Sequence, residues 1–194
     1  MLIVISAPSG GGKSTILKTL RDQDKELAYS VSATSRSPRV GEVNGVHYDF
    51  LSDSEFKRRI NCGEFLEYAY VHNHLYGTLK EKVNSLLESG KDVVMDLDFQ
   101  GGLNVKKQKN DSVLIFLMPP SFEILEKRLR DRQQDPEDVI QLRLKNAHEE
   151  MQYAQYYDYI IVNDQLNDTI EQSRIIIQAE RCKASRIQID KSDD

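Results

Sequence analysis

Cysteine is scarce: Cys62 and Cys182 are the only two in 194 residues. They stand far apart, without His or Cys companions at metal-ligand spacing. The chain therefore offers neither a disulfide framework nor a zinc site, and two free thiols suit a reducing cytoplasm. Long apolar runs are missing too. The longest, Val113 to Met118, falls far short of the roughly 20 residues that cross a bilayer. Met1-Leu2-Ile3-Val4-Ile5 lacks the basic flank and the length of a secretion signal. Nor is there an excess of positive charge. With 26 Lys and Arg against 31 Asp and Glu, net −5, the balance argues against a nucleic-acid partner. The histidines (His47, His72, His74 and His148) have no mutual spacing that suggests a metal site, and no Ser/His/Asp or Cys/His set stands out. What remains is a cytoplasmic globular protein, 39% hydrophobic and 29% charged, of a length that suits one domain with small inserted lobes.

The most informative segment follows the first apolar run. Leu2-Ile3-Val4-Ile5 leads straight into Ser6-Ala7-Pro8-Ser9-Gly10-Gly11-Gly12-Lys13-Ser14-Thr15. A glycine-rich loop between a buried strand and a helix lets successive N–H groups surround a phosphate, and the helix amino terminus adds partial positive charge. Lys13 can reach the β- and γ-phosphates of a nucleoside triphosphate, and the Ser14 hydroxyl can ligate the accompanying Mg²⁺. Ala7 stands where the strict pattern has its first glycine, which the loop tolerates if φ stays negative there. The bland alternative is a Gly-rich turn before an ordinary helix.

Further buried strands are expected at Asp92–Asp96, Ser112–Leu117 and Tyr159–Val162. Helices are expected at Lys13–Arg21, Leu79–Ser89, Gly102–Lys109, Phe122–Arg132, Pro136–Gln155 and Leu166–Ser185, the fifth with Asp135 as its cap and Pro136 first in the helix. Short apolar strands alternating with helices indicate an α/β fold: a parallel sheet with helices on both faces and a ligand at the strands' carboxyl ends. The stretch Tyr29–Val71 differs. Its alternating segments (Tyr29–Ala33, Val46–Leu51, Phe65–Val71) and one helix capped by Ser52 and Glu55 suggest a small mixed, largely antiparallel insertion. A second insertion, about Phe122–Gln155, is helical and highly charged. The division expected is a core of residues 1–31, 80–121 and 156–194, a lobe of 32–79 and a lid of 122–155.

Arg36 and Arg39, the second fixed by Pro38, can converge on one phosphate if their segment is a turn, with Tyr48 adding a neutral donor. A solvated basic loop is the alternative. Asp96 and Asp98 end a strand beside the phosphate loop, where carboxylates can hold Mg²⁺ through water, orient an acceptor or cap the next helix. Lys127, Arg128, Arg130, Arg132 and Arg143 form either a solvated helix face or a cover for a migrating phosphoryl group.

In order along the chain, the phosphate loop is followed by Ser30-Val31-Ser32-Ala33-Thr34-Ser35-Arg36-Ser37-Pro38-Arg39-Val40-Gly41-Glu42-Val43-Asn44-Gly45-Val46-His47-Tyr48. Then come Phe65-Leu66-Glu67-Tyr68, Tyr76-Gly77-Thr78, Asp96-Leu97-Asp98-Phe99-Gln100-Gly101, Pro119-Pro120-Ser121, Arg128-Leu129-Arg130-Asp131-Arg132 and Ile161-Val162-Asn163-Asp164. Over nearly its whole length the sequence resembles the guanylate kinases, P-loop enzymes that make ADP and GDP from ATP and GMP with Mg²⁺. The resemblance implies that Arg36, Arg39, Tyr48 and Tyr76 hold the GMP phosphate, and that Glu67, Ser32 and Thr78, with Gly77 and Asp98 close by, read the guanine. A carboxylate suits guanine, whose N1–H and 2-amino group are adjacent donors. It implies an ATP site made by Ser9, Gly10, Gly11, Gly12, Lys13, Ser14 and Thr15 with Arg128 and an adenine contact from Asn163, which as a bare residue is a turn or helix cap. Lys13, Arg36, Arg132 and Arg143 are the implied catalytic cations; Ser14 would ligate Mg²⁺, with Asp96 able to do so through water. Two departures stand out. Gln133-Gln134 follow Arg132 where the family usually has a glycine, which bears on the lid hinge, and Leu75 precedes Tyr76 where the family often has Tyr. Two rivals are a kinase of another nucleoside monophosphate and a kinase-like module that holds phosphorylated peptides. Whether the chain is a monomer or a homo-oligomer is open.

Overall fold

The computed structural model describes residues 1–71, 73–131 and 136–187. Its centre is a five-stranded parallel sheet in the order β2-β7-β1-β8-β9, with β1 at Leu2–Ser6, β2 at Leu27–Tyr29, β7 at Asp92–Asp96, β8 at Val113–Met118 and β9 at Tyr159–Val162. All five residues of β1 are buried, as expected of a strand covered on both faces. One face, with Ile3, Ile5, Val94, Ile115 and Ile161, packs on helices α1 (Lys13–Gln23) and α7 (Leu166–Arg181). The other, with Leu2, Val4, Met95, Leu114 and Phe116, packs on α3 (Lys80–Glu88) and α4 (Phe99–Gln108).

A second sheet of four strands, ordered β4-β3-β6-β5, contains β3 (Ala33–Thr34), β4 (Asp49–Phe50), β5 (Phe65–Val71) and β6 (His74–Leu79). It is mixed: β5–β6 and β3–β6 run antiparallel, β3–β4 parallel. Helix α2 (Asp53–Asn61) covers it, and the expected cap is present, with the Glu55 N–H donating to the Ser52 hydroxyl at 3.1 Å. Phe56 is fully buried and stacks on Phe65 with ring centroids 4.3 Å apart. The charged segment forms α5 (Phe122–Asp131) and α6 (Glu137–Gln152), joined through Leu125, Leu129, Ile140, Leu144 and Ala147.

Three expectations change, and one strand was not foreseen. Tyr29–Ala33 is not one strand of the insertion: Leu27–Tyr29 pairs with β7 at the edge of the core sheet, and the chain crosses to the second sheet between Tyr29 and Ala33. Val46–Leu51 contracts to Asp49–Phe50, because Val46 and His47 belong to a turn whose N–H groups donate to the Val43 carbonyl. β6 lacked a sequence signal, since His74, Tyr76 and Thr78 alternate only weakly with Leu75 and Leu79. Pro136 is the cap of α6 rather than its first residue, and Asp135 lies outside the described residues.

The buried Phe56–Phe65 pair stacks within the core of the second sheet. Phe56→Ala should therefore lower unfolding free energy by about 3–5 kcal/mol, read as a reduced urea midpoint. A loss below about 1 kcal/mol would show that this core does not depend on the pair.

Candidate active site

The phosphate loop leaves the end of β1 and enters α1 at Lys13. Gly10 and Gly12 have φ of 88° and 83°, a region that side chains with a Cβ disfavour. Outside glycine, positive φ occurs among the described residues only at Asn73, so Ala7 meets the condition set for it. Gly12 caps α1 without a side-chain bond, and the first turn has no acidic residue. Its amino terminus is therefore available to an anion.

Register decides what surrounds the loop. Ile5 of β1 is level with Asp96 of β7, and Lys13 Nζ reaches Asp96 Oδ1 at 2.6 Å and the Leu97 carbonyl at 2.8 Å. Asp98 takes a different role. Its Oδ1 accepts from the Gly101 N–H at 2.7 Å, capping α4. The two strand-end carboxylates are thus separated by function: Asp96 faces the lysine and Asp98 the start of a helix.

Asn163, expected at the adenine, is turned inward. It is 6% exposed, donates through Nδ2 to the Gly11 carbonyl at 2.7 Å, and accepts at Oδ1 from the Thr169 hydroxyl at 3.0 Å. In this structure it clamps the loop from beneath. Arg128 on α5 donates to the Asp164 carbonyl at 3.3 Å, beside the same strand end. Arg143 lies half-buried on α6, and Arg132 lies outside the described residues. Contacts to the loop from two helices were missed in the sequence. Leu125 and Leu129 of α5 press against Gly10, where an added Cβ would come within 3.2 and 2.8 Å of them. Glu150 of α6 accepts from the Ser9 N–H at 3.3 Å. Neither contact has a local signature, since both depend on how α5 and α6 fold back.

A second polar cluster lies on the four-stranded sheet. The Arg36 guanidinium makes a two-point bond to Glu42, 2.9 and 2.8 Å, and stands near the rings of Tyr48 (5.5 Å) and Phe50 (5.7 Å). Tyr48 and Tyr76 meet edge to face at 5.8 Å. Glu42 also accepts from the Arg39 backbone N–H at 2.6 Å, and these donors, Arg36 foremost, hold its carboxyl down at about 2. Glu42 was not anticipated as a partner, although its six-residue spacing from Arg36 across the Gly41 turn was a usable signal.

Glu67 and Thr78 pair across β5 and β6. Glu67 is 6% exposed, and its Oε1 accepts from the Thr78 hydroxyl at 2.7 Å. Burial, with a smaller push from the Asp98 charge, raises its carboxyl to about 7 against the Thr78 hydrogen bond. The sign follows from linkage. The contribution of this group to stability is complete below the ordinary carboxylate value and is lost as pH rises through about 7. Ionised Glu67 is therefore unfavourable in the free pocket and needs donors. Gly77 precedes Thr78 in β6, level with Tyr68 of β5, and Ser32 precedes β3.

A phosphate loop on a parallel sheet, with a second pocket offering paired arginine, tyrosines and one buried carboxylate, defines a P-loop phosphotransferase of the nucleoside monophosphate kinase class. The family model for guanylate kinase matches residues 1–180. The chain is 48% identical over 183 residues to the guanylate kinase of Rickettsia typhi, covering 94% of this chain and 93% of the relative. It is 48% identical over 186 residues to that of Caldanaerobacter subterraneus subsp. tengcongensis, covering 96% and 90%. The crystal structure of guanylate kinase from Anaplasma phagocytophilum superposes with a TM-score of 0.75 at 31% identity, covering 96% of this chain and 88% of that one. The chain belongs to the guanylate kinase family, nucleoside monophosphate kinases whose reaction is ATP:GMP phosphotransfer.

Because the Asn163 amide satisfies two buried partners, Asn163→Ala should lower stability by about 1–3 kcal/mol and weaken ADP binding through a slackened loop. Thermal shift with and without ADP reads both. An undiminished ADP-induced shift would mean that the clamp is irrelevant to the loop.

Proposed function

We propose that the phosphate loop holds ATP, that the pocket on the second sheet holds GMP, and that the γ-phosphoryl passes between them to give ADP and GDP. The observation that carries this reading is the buried Glu67–Thr78 pair lying on the same sheet as the Arg36–Tyr48–Tyr76 cluster. Together they match guanine at one end of a nucleotide and phosphate at the other.

The roles follow from the chemistry. Amides of Ser9 to Thr15 and Lys13 bind the donor's phosphates. Arg36, Arg39, Tyr48 and Tyr76 bind the acceptor's phosphate, and GMP must displace Glu42 from Arg36 to use its fork. Glu67, Ser32 and Thr78 read the base, with Gly77 and Asp98 bordering the pocket. Arg128, Arg132 and Arg143 cover the transferring group, whose charge spreads over three oxygens. Asn163 acts on the nucleotide through the loop that it holds. The donors near the loop are hard oxygens, the exposed Ser14 hydroxyl and the Asp96 carboxylate, and they fit Mg²⁺. No cluster of three or more acidic, His or Cys side chains poised for a metal occurs among the described residues, so the ion would rest largely on phosphates and water. When bound it neutralises phosphate charge.

The three-part division into core (residues 1–31, 80–121 and 156–194), GMP lobe (32–79) and lid (122–155) belongs to the same proposal, with lobe and lid closing to exclude water. No helix among the described residues is long and apolar enough to cross a membrane, which is consistent with a cytoplasmic setting.

ADP formation from ATP and Mg²⁺, with GMP, AMP, UMP and dTMP offered in parallel, tests the reading. Turnover is expected with GMP alone and should fall at least about a hundredfold in Lys13→Ala. Equal use of another monophosphate would overturn the guanine assignment, and GMP binding without turnover would favour a binding module.

The Glu67 environment adds a pH signature. If guanine binds the carboxylate, the KM for GMP should fall about tenfold more between pH 6 and 8 in the wild type than in Glu67→Gln. The same slope in both would assign the dependence to the GMP phosphate instead. At pH 8 the variant should lose about 10- to 100-fold in kcat/KM for GMP.

A further inference from the structure

Glu150 has no part in the scheme above, yet its carboxylate lies on the phosphate loop. It projects from α6 seven residues beyond Arg143, about two turns along the same helix face. Its Oε2 accepts from the Ser9 N–H at 3.3 Å. Burial raises its pKa. The Ser9 bond and the Lys13 charge act in the opposite direction, and Asp98 acts with burial. Glu150 is thus half-buried among the loop amide, the loop lysine and a strand-end carboxylate. The helix that bears it packs through Leu144 and Ala147 on α5, and α5 presses Leu125 and Leu129 against Gly10.

A carboxylate and a phosphate make the same demand on a backbone N–H, and one donor does not serve both at full strength. They also repel each other, most strongly where water is displaced. We infer that Glu150 is a positioning residue that occupies the Ser9 amide while the loop is empty and yields it to the nucleotide phosphate, so that loading the loop is coupled to the position of α6 and of Arg143 upon it. The inference rests on the reading that this loop binds the ATP phosphates. It adds a chain-borne competitor for that site and a link from donor binding to the helix that carries a covering arginine.

Calorimetric titration of ADP into the full-length protein, with and without Mg²⁺, tests it. Glu150→Gln keeps an acceptor for Ser9 but removes the charge, so ADP should bind roughly three- to tenfold tighter while the affinity for GMP stays unchanged. Glu150→Asp keeps the charge but withdraws it by one methylene and should fall between the two. A merely structural role would lower the melting temperature without tightening ADP, and that result overturns the inference. Weaker binding of Mg·ADP, with free ADP unaffected, would overturn it in favour of an outer contact to the ion. The coupling has its own readout. The chain has no tryptophan, so Tyr153→Trp at the end of α6, where Tyr153 stacks on Phe99 at 4.2 Å, gives a single tryptophan, excited selectively at the red edge of the protein absorption. Its ADP response should shrink when Glu150→Gln is added, and an equal response in both backgrounds would refute the coupling. Failure of the wild type to bind ADP at all would remove the reading of the loop itself, a different result from any of these.

Discussion

Everything at the donor site depends on the register of three buried parallel strands. Ile5 lies level with Asp96, and Ser6 with Phe116, so β1 and β7 end within a residue of one another while β8 runs two residues further, to Met118. The loop after β1 therefore opens beside the carboxylate that ends β7, and Lys13, one short loop later, falls back onto Asp96 and the Leu97 carbonyl. On the other side β9 brings Asn163 under the loop, where it bonds Gly11. A slip of one residue would turn each strand's buried face over.

Given that frame, a charge problem has to be solved in the empty protein. Three groups suited to phosphate each hold a carboxylate of the chain itself: Lys13 with Asp96, Arg36 with Glu42, and the Ser9 amide with Glu150. Unpaired cations in partly closed pockets would wander or draw the pockets shut; paired ones keep a defined rotamer. On the proposed reading, the same carboxylates compete with the substrate and temper affinity for phosphate in general. A ligand would then need more than one anionic group, correctly spaced, to displace them together.

Legibility in the sequence followed locality. The phosphate loop, the capping box at Ser52 and Glu55, the strands Asp92–Asp96 and Tyr159–Val162, and the span Phe65–Val71 are written in neighbouring residues, and the structure places them as read. Leu27–Tyr29 was not legible as a core strand, because three residues leave no measurable period and its partner β7 lies over sixty residues away. The inward turn of Asn163 is set by Gly11, and the contact of Glu150 by the fold-back of α6. Both are distances across the fold, which no residue spacing encodes. Glu67 could be named from the family resemblance. That it is buried, and that its carboxyl is raised to about 7, follows only once β5 and β6 are paired.

The burial of Glu67 also places Gly101 and Asp98 beside the carboxylate proposed to read the base. A Cβ at position 101 would stand 3.3 Å from Glu67 Oε2 and 3.2 Å from Asp98 Oδ1. The first turn of α4 thus lies directly against the carboxylate, and the glycine leaves its backbone uncovered there. The amino end of a helix carries partial positive charge, which favours the ionised form of a neighbouring carboxylate, whereas Asp98 at the cap opposes it. The balance leaves the Glu67 carboxyl raised to about 7, and on the proposed reading two adjacent donors of the base would tip it to the anion. A base with one donor and one acceptor on that edge would leave the anion half satisfied in a dry pocket, and such a mismatch discriminates far more strongly than shape does. On the proposed reading, selectivity would arise from a carboxylate that is costly to ionise until the right base arrives, with the cost set by the packing of a helix terminus against a two-strand pair.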